Sequence, residues 1–201
     1  MHYSVMKEES IKGLNLKDSG IYVDCTLGYA GHSSEILKRM KRGFLFAFDQ
    51  DREAISYSYQ KLKNISDNFE IIKSNFKNIK SELNKRDINE VDGILFDLGV
   101  SSPQLDTVER GFSYHNDAKL DMRMDQESDF SAYNVVNEYS EKDLRDIIFK
   151  YGEEKYAASI AKNIVKCRNN KPIETTLELV DVIRSAMPPA ALREKQHPAK
   201  R

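Results

Sequence analysis

With 201 residues, 40% of them hydrophobic, the chain is long enough for one full domain, or one and a fraction, around a sizeable core. Its net charge of −1 gives no global bias toward nucleic acid or membrane, and the longest apolar run, Phe44 to Phe48, is far short of a bilayer span. Two cysteines, Cys25 and Cys167, are too few and too far apart for a disulfide framework or a zinc motif; with no charged-then-apolar leader, a cytoplasmic protein is expected.

Residues 4–14 read as a short helix, and Asp18-Ser19-Gly20 turns the chain into a first strand. Strand candidates at 21–25, 44–48, 69–72 and 91–97, rich in Ile, Val and Phe, alternate with segments of helical periodicity. Ile36, Leu37 and Met40 share one face of the first intervening helix, whose end carries Lys38, Arg39, Lys41 and Arg42 before Gly43. Ile55, Tyr59 and Leu62 play the same part in the second. This β-α repetition predicts an α/β fold: a parallel sheet covered by helices, with ligands at the carboxyl ends of the strands.

The character changes after Gly99. Residues 99–130 read as loop, and from 131 onward only helices are predicted. Ser140-x-x-Asp143 opens one helix, which Gly152 stops; residues 153–168 form a second, amphipathic one; Thr175-x-x-Glu178 opens a third. The expected division is a ligand-binding part at 1–105 and a helical domain at 106–201. Charge is uneven along this half: residues 107–154 carry 6 Lys/Arg against 12 Asp/Glu, whereas 155–201 carry 10 against 4, so the last quarter is basic.

The run from Val23 to Ser33 (VDCTLGYAGHS) is a strand ending in a carboxylate, a glycine turn at Gly28 and Gly31, and a helix start. Glycines there let backbone N–H groups approach a ligand, and the helix N-terminus favours negative charge. Asp49 ends the second strand 18 residues after Gly31, where a carboxylate accepts hydrogen bonds from ribose hydroxyls; Asp51 is free to cap the next helix. Asp24, by itself, is either a ligand contact or the cap of its own turn. Together these residues fit an adenosine-type ligand, NAD or S-adenosylmethionine. Asp97 adds a third acidic strand end, and three carboxylates in one cleft call for cationic partners, which suits a sulfonium and disfavours a pyrophosphate. The four histidines, His2, His32, His115 and His197, show no metal-ligand spacing.

Five runs carry a wider likeness: Val23–Ser33, Asp97–Asp106 (DLGVSSPQLD), Glu109–Tyr114 (ERGFSY), Leu120–Asp125 (LDMRMD) and Tyr151–Lys155 (YGEEK). In these the chain closely resembles the RsmH (MraW) family of bacterial 16S rRNA cytosine-N4 methyltransferases, over essentially its whole length. The resemblance implies a Rossmann-like class I methyltransferase fold with an inserted all-α domain, S-adenosylmethionine as cofactor, and 16S rRNA in the small ribosomal subunit as partner. Cofactor contacts carry over to Ala30, Gly31, His32, Asp49, Phe76, Asp97 and Gln104. Read without the family, Phe76 would be core and Gln104 unremarkable. The implied substrate is a cytosine of the decoding region, cytosine 1402. Its exocyclic N4 attacks the methyl carbon in line, with alignment worth up to about 7–11 kcal/mol. Asp97 or a neighbouring loop carbonyl is the candidate acceptor beside N4. The Asp/Asn-Pro-Pro-aromatic signature common to amino-methyltransferases is absent, and Ser101-Ser102-Pro103-Gln104 stands in its neighbourhood.

Lys155, Lys162 and Lys166 fall on one stripe of the helix at 153–168, opposite Ala157, Ile160, Ala161 and Ile164; an RNA contact and a solvated face both explain them. His197-Pro198-Ala199-Lys200-Arg201 matches a family motif and would otherwise read as a basic tail. Family members continue beyond position 201 with further strands. In their strand order, 3-2-1-4, the strand at 91–97 is left with an uncovered edge, so self-association is expected. A cofactor-binding remnant without catalysis and an NAD-dependent oxidoreductase remain the alternatives.

Overall fold

The computed structural model describes residues 5–200; His2, Ser4 of the first predicted helix, and Arg201 lie outside the described residues. Two units are present, one of Met1–Val100 with Met124–Gln126, the other of Ser101–Arg123 with Glu127–Arg201.

In the first unit, α1 (Lys7–Leu14), β1 (Ile21–Asp24), α2 (Gly31–Arg39), β2 (Phe44–Asp49), α3 (Arg52–Lys63), β3 (Phe69–Lys73), α4 (Ile79–Asn84) and β4 (Gly93–Leu95) follow one another. The four strands form one parallel sheet in the order β3-β2-β1-β4. Side-chain alternation divides the core. Tyr22, Leu45 and Ala47 pack on one face with Ile11, Ile36, Leu37 and Leu62 of α1, α2 and α3, while Val23, Cys25, Phe46 and Phe48 pack on the other with Ile72 and Leu83. Burial on both faces is what makes β1 and β2 read as continuous apolar runs. This is the expected Rossmann-like α/β sheet.

Two elements of this unit depart from expectation by more than one residue. The first helix starts at Lys7 because Met6 takes a left-handed conformation (φ 46°). The fourth strand, expected over 91–97, is only Gly93–Leu95. Past Leu95 the chain leaves the ladder, because the Asp97 N–H turns onto the Thr26 hydroxyl (2.7 Å), and Phe96 and Leu98 are exposed.

The second unit holds α5 (Ser102–Asp106), α6 (Ala132–Glu138), α7 (Glu141–Gly152), α8 (Ala157–Arg168) and α9 (Thr176–Ser185). Leu120, Val136, Leu144, Ile160, Ala161, Ile164 and Ile173 form its core. A bridge from Lys119 to Thr175, with the Leu120 N–H donating to the Glu174 carbonyl (2.9 Å), ties the 112–123 loop to the start of α9.

Two expectations fail here. The region 99–130 is not all loop: α5 is closed by a capping box between Ser101 and Gln104 with a proline in its first turn. The helix expected over 153–168 is broken, because Glu153 turns left-handed (φ 50°) after α7, and α8 begins only at Ala157. Lys155 therefore sits in the connection, paired with Glu194 (3.1 Å), while Lys162 and Lys166 remain exposed on α8. No helix among the described residues is long and apolar enough to cross a membrane.

Candidate functional site

The turn between β1 and α2 is stitched to strands on both sides. The Cys25 N–H donates to the Leu95 carbonyl and the Leu27 N–H to the Phe48 carbonyl, each at 2.9 Å, so the turn sits between the carboxyl ends of β4 and β2. Gly28 takes a left-handed conformation (φ 48°), and so does Ala30 (φ 56°), at the N-cap position of α2. A non-glycine residue there costs roughly 1–2 kcal/mol. In exchange, α2 starts with no side-chain cap and no acidic residue in its first turn. An N-terminus of this kind leaves backbone donors to a ligand.

Three carboxylates border the turn with different environments. Asp24 is fully buried, accepting from the Ser33 hydroxyl (2.6 Å) and the Thr26 N–H (3.0 Å). Burial pushes its carboxyl up from the ordinary range, against the pull of the Ser33 and Thr26 donors and of His32. Of the two roles open to it, the structure gives Asp24 that of internal cap. Asp49, at the end of β2, accepts from the Gly28 N–H (2.7 Å) on one oxygen and from the Gln50 (2.7 Å) and Asp51 (2.9 Å) N–H groups on the other. Burial pushes this carboxyl up too, the backbone donors opposing and the charge of Asp51 adding. Asp51 caps α3 by accepting the Glu53 N–H (3.0 Å), which frees Asp49 from that duty.

Asp97 is the open member, its side chain 44% exposed. The Thr26 hydroxyl holds it by accepting its N–H and itself donates toward Asp24 (3.4 Å). A carboxylate oxygen of Asp97 lies 3.7 Å from His32 Nδ1, and the buried His32 ring has its Nε2 3.2 Å from the Val5 carbonyl. Phe76 opens a 3-10 turn, Phe76–Asn78, after β3 and meets Phe96 edge-on at 5.5 Å; Asn75 beside it donates to Gln50 Oε1 (3.0 Å).

Ala30, Gly31, His32, Asp49, Phe76 and Asp97 thus lie at the carboxyl ends of the strands in one unit. Gln104 belongs to the other unit, where its Oε1 accepts the Ser101 N–H (2.9 Å) within the cap of α5. Sequence reasoning passed over Thr26 and Ser33, the hydroxyls that hold the acidic groups; the signal was a hydroxyl residue within a turn of a strand-end aspartate. A groove of about 520 Å³ opens elsewhere, on the flank of β3 between Ile55, Tyr59, Phe69 and Ile71, away from the strand ends. Hydrogen-bond acceptors at Asp49 and Asp97, with uncapped backbone donors at α2, suit a ligand carrying hydroxyl, ammonium and carboxylate groups. That donor and acceptor set fits S-adenosylmethionine.

The profile of the MraW methylase family matches residues 1–201. Among similar proteins, a ribosomal RNA small subunit methyltransferase H of Exiguobacterium sibiricum is 58% identical over 200 residues, and that of Mesoplasma florum 55% identical over 201. All of this chain but only 64% of each relative is covered, so the chain spans less than two thirds of their length. A solved rRNA methylase from Streptococcus thermophilus aligns with 59% of this chain and 70% of its own at 21% identity, with a TM-score of 0.39.

Proposed function

Because the chain belongs to the MraW methylase family, we propose that it carries the cofactor-binding part of an S-adenosylmethionine-dependent methyltransferase acting in the cytoplasm on small-subunit rRNA. The target is the N4 amine of a cytosine, cytosine 1402 of the decoding region. Residues 1–105 form the cofactor part and 106–201 an all-α insertion. The observation that carries this reading is the placement of half-buried Asp49 and open Asp97 on either side of the uncapped turn at Gly28–Gly31.

When bound, the cofactor supplies an electrophilic methyl carbon. Asp49 would accept the ribose hydroxyls, the backbone of Ala30, Gly31 and His32 would receive the amino-acid end, and Phe76 would pack against the adenine. Asp97 is the catalytic residue: it accepts a hydrogen bond from the cytosine N4 amine, whose lone pair is otherwise drawn into the ring. Methylation leaves N4 with one proton too many, which Asp97, held through Thr26 and His32, would accept, while orientation supplies most of the rate. The unstacked cytosine must be presented outside a duplex.

Calorimetric titration with S-adenosylmethionine, with NAD as competitor, tests the cofactor; NAD displacing it would favour an oxidoreductase. Single-turnover transfer of labelled methyl to small subunits tests the reaction and separates an enzyme from a binding remnant. Asp97→Asn is expected to lower the single-turnover rate about 100-fold, the lower end of the usual range for a positioned acid-base group, with cofactor still bound. Full turnover in that variant removes Asp97 from the catalytic role.

A further inference from the structure

Three rings from two distant stretches of the second unit meet on its surface. Tyr114 and His197 lie nearly parallel, 13° apart in plane with centroids 4.6 Å apart; His115 adjoins Tyr114 at 4.2 Å and stands 6.3 Å from His197. His115 is exposed, and Tyr114 and His197 are half-buried.

Both stretches are anchored on the same helix. The Thr176 hydroxyl donates to the Asn116 carbonyl (2.7 Å) and accepts the Ala118 N–H (3.0 Å), and the Leu177 N–H donates to Asp117 (3.3 Å). The turn Pro198–Lys200 packs against α9. His197 accepts the Ala199 N–H on Nδ1 (3.2 Å), which puts the proton of its neutral ring on Nε2. Burial, then Arg184 and His115, push this imidazole below its ordinary value. The surrounding chain is basic: Arg184 is near enough to act on His197, and Arg193, Lys195 and Lys200 are exposed on the adjoining segment. Of the nearby acids, Glu194 is paired with Lys155, Asp117 holds α9, and Glu154, which lines the same hollow as His197, accepts the Tyr156 N–H (2.8 Å).

Flat, preorganised rings, one of them exposed, with cationic side chains beside them are what an unstacked nucleobase and its phosphates require. We propose that Tyr114, His115 and His197 form a stacking platform for a base of single-stranded RNA, with Arg184 and Lys200 serving the flanking phosphates. The RNA class rests on the methyltransferase reading above; the platform itself rests on the ring geometry.

The test uses the 201-residue chain at one fixed salt concentration and a single-stranded oligoribonucleotide carrying 2-aminopurine, with a fully abasic strand of equal length as control. The parent is expected to quench the 2-aminopurine and to bind the base-bearing strand more tightly than the abasic one. His115→Ala, an exposed change, and Tyr114→Leu, which keeps apolar volume, are each expected to weaken base-bearing RNA about tenfold and the abasic strand hardly at all. Should Tyr114→Leu fail to fold, His115→Ala decides. A parent that quenches nothing, equal affinity for both strands, or variants that bind as the parent does with unchanged thermal unfolding each overturn the platform and leave the rings a structural clasp. S-adenosylmethionine titrated into the same samples reports separately on the cofactor reading, which stands or falls by that measurement alone.

Discussion

Asp24 and Asp49 share a direction of pKa change but not a role. Burial raises both. A carboxyl raised in the folded state supports the fold most fully below its unfolded pKa, and that support is lost as pH rises through the folded value. Both groups therefore weaken the free chain as pH climbs from the ordinary carboxylate range through the raised values. A ligand that meets the ionised form has the opposite dependence. S-adenosylmethionine affinity is expected to increase with pH across that same window, with protons released on binding at its acid end. Titration calorimetry in two buffers of different ionisation enthalpy reads both quantities, and flat affinity with no proton release would remove the carboxylates from the binding site. Asp49 is the expected source, since its N–H partners leave lone pairs for the ribose, whereas Asp24 is enclosed by Thr26 and Ser33.

The elements divide by how local their causes are. Thr175 and Glu178 close a capping box at α9, and Glu178 is lowered to about 2, chiefly by its hydrogen bond from Lys171 and then by the Glu174 and Thr175 N–H groups. Thr175→Ala is expected to destabilise the chain by about 1 kcal/mol, read as a lower Tm, with the cofactor titration unchanged. Such caps are visible in sequence because partner and donor lie three residues apart. The same spacing at Ser101 and Gln104 escaped notice because α5 is five residues long and has no apolar period to announce it. Glu153 carries no mark of its left-handed turn, a conformation that sequence rules assign to glycine or asparagine, so the break before α8 and the displaced Lys155 could not be read. The sheet was legible because β1 and β2 are buried on both faces, and the turn because its glycine and carboxylates fall at strand ends. Phe76 against Phe96, and Tyr114 against His197, are contacts between distant stretches, which local periodicity does not encode.

At the scale of the whole chain, the sheet is finished on one side only by its own edge. Among the described strands β4 pairs with β1 alone. The chain that runs through and past it exposes Ile94 (43%), Phe96 (51%), Leu98 (70%) and Val100 (44%). Unpaired N–H and C=O groups beside a run of apolar side chains form a template for a further strand. A net charge of −1 opposes close approach of two copies only weakly. The 201-residue chain is therefore expected to self-associate through β4 in a concentration-dependent way, seen as a rising mass in light scattering over the micromolar range. Lysine is the residue natural edges use against such pairing, and Ile94→Lys with Leu98→Lys places two of them on this edge without touching Phe96, which packs against Phe76. That double variant is expected to raise the self-association constant for dissociation at least about tenfold while keeping its circular dichroism and its cofactor titration. A parent chain that stays monomeric at every concentration, or a variant that associates as the parent does, would place the contact somewhere other than β4.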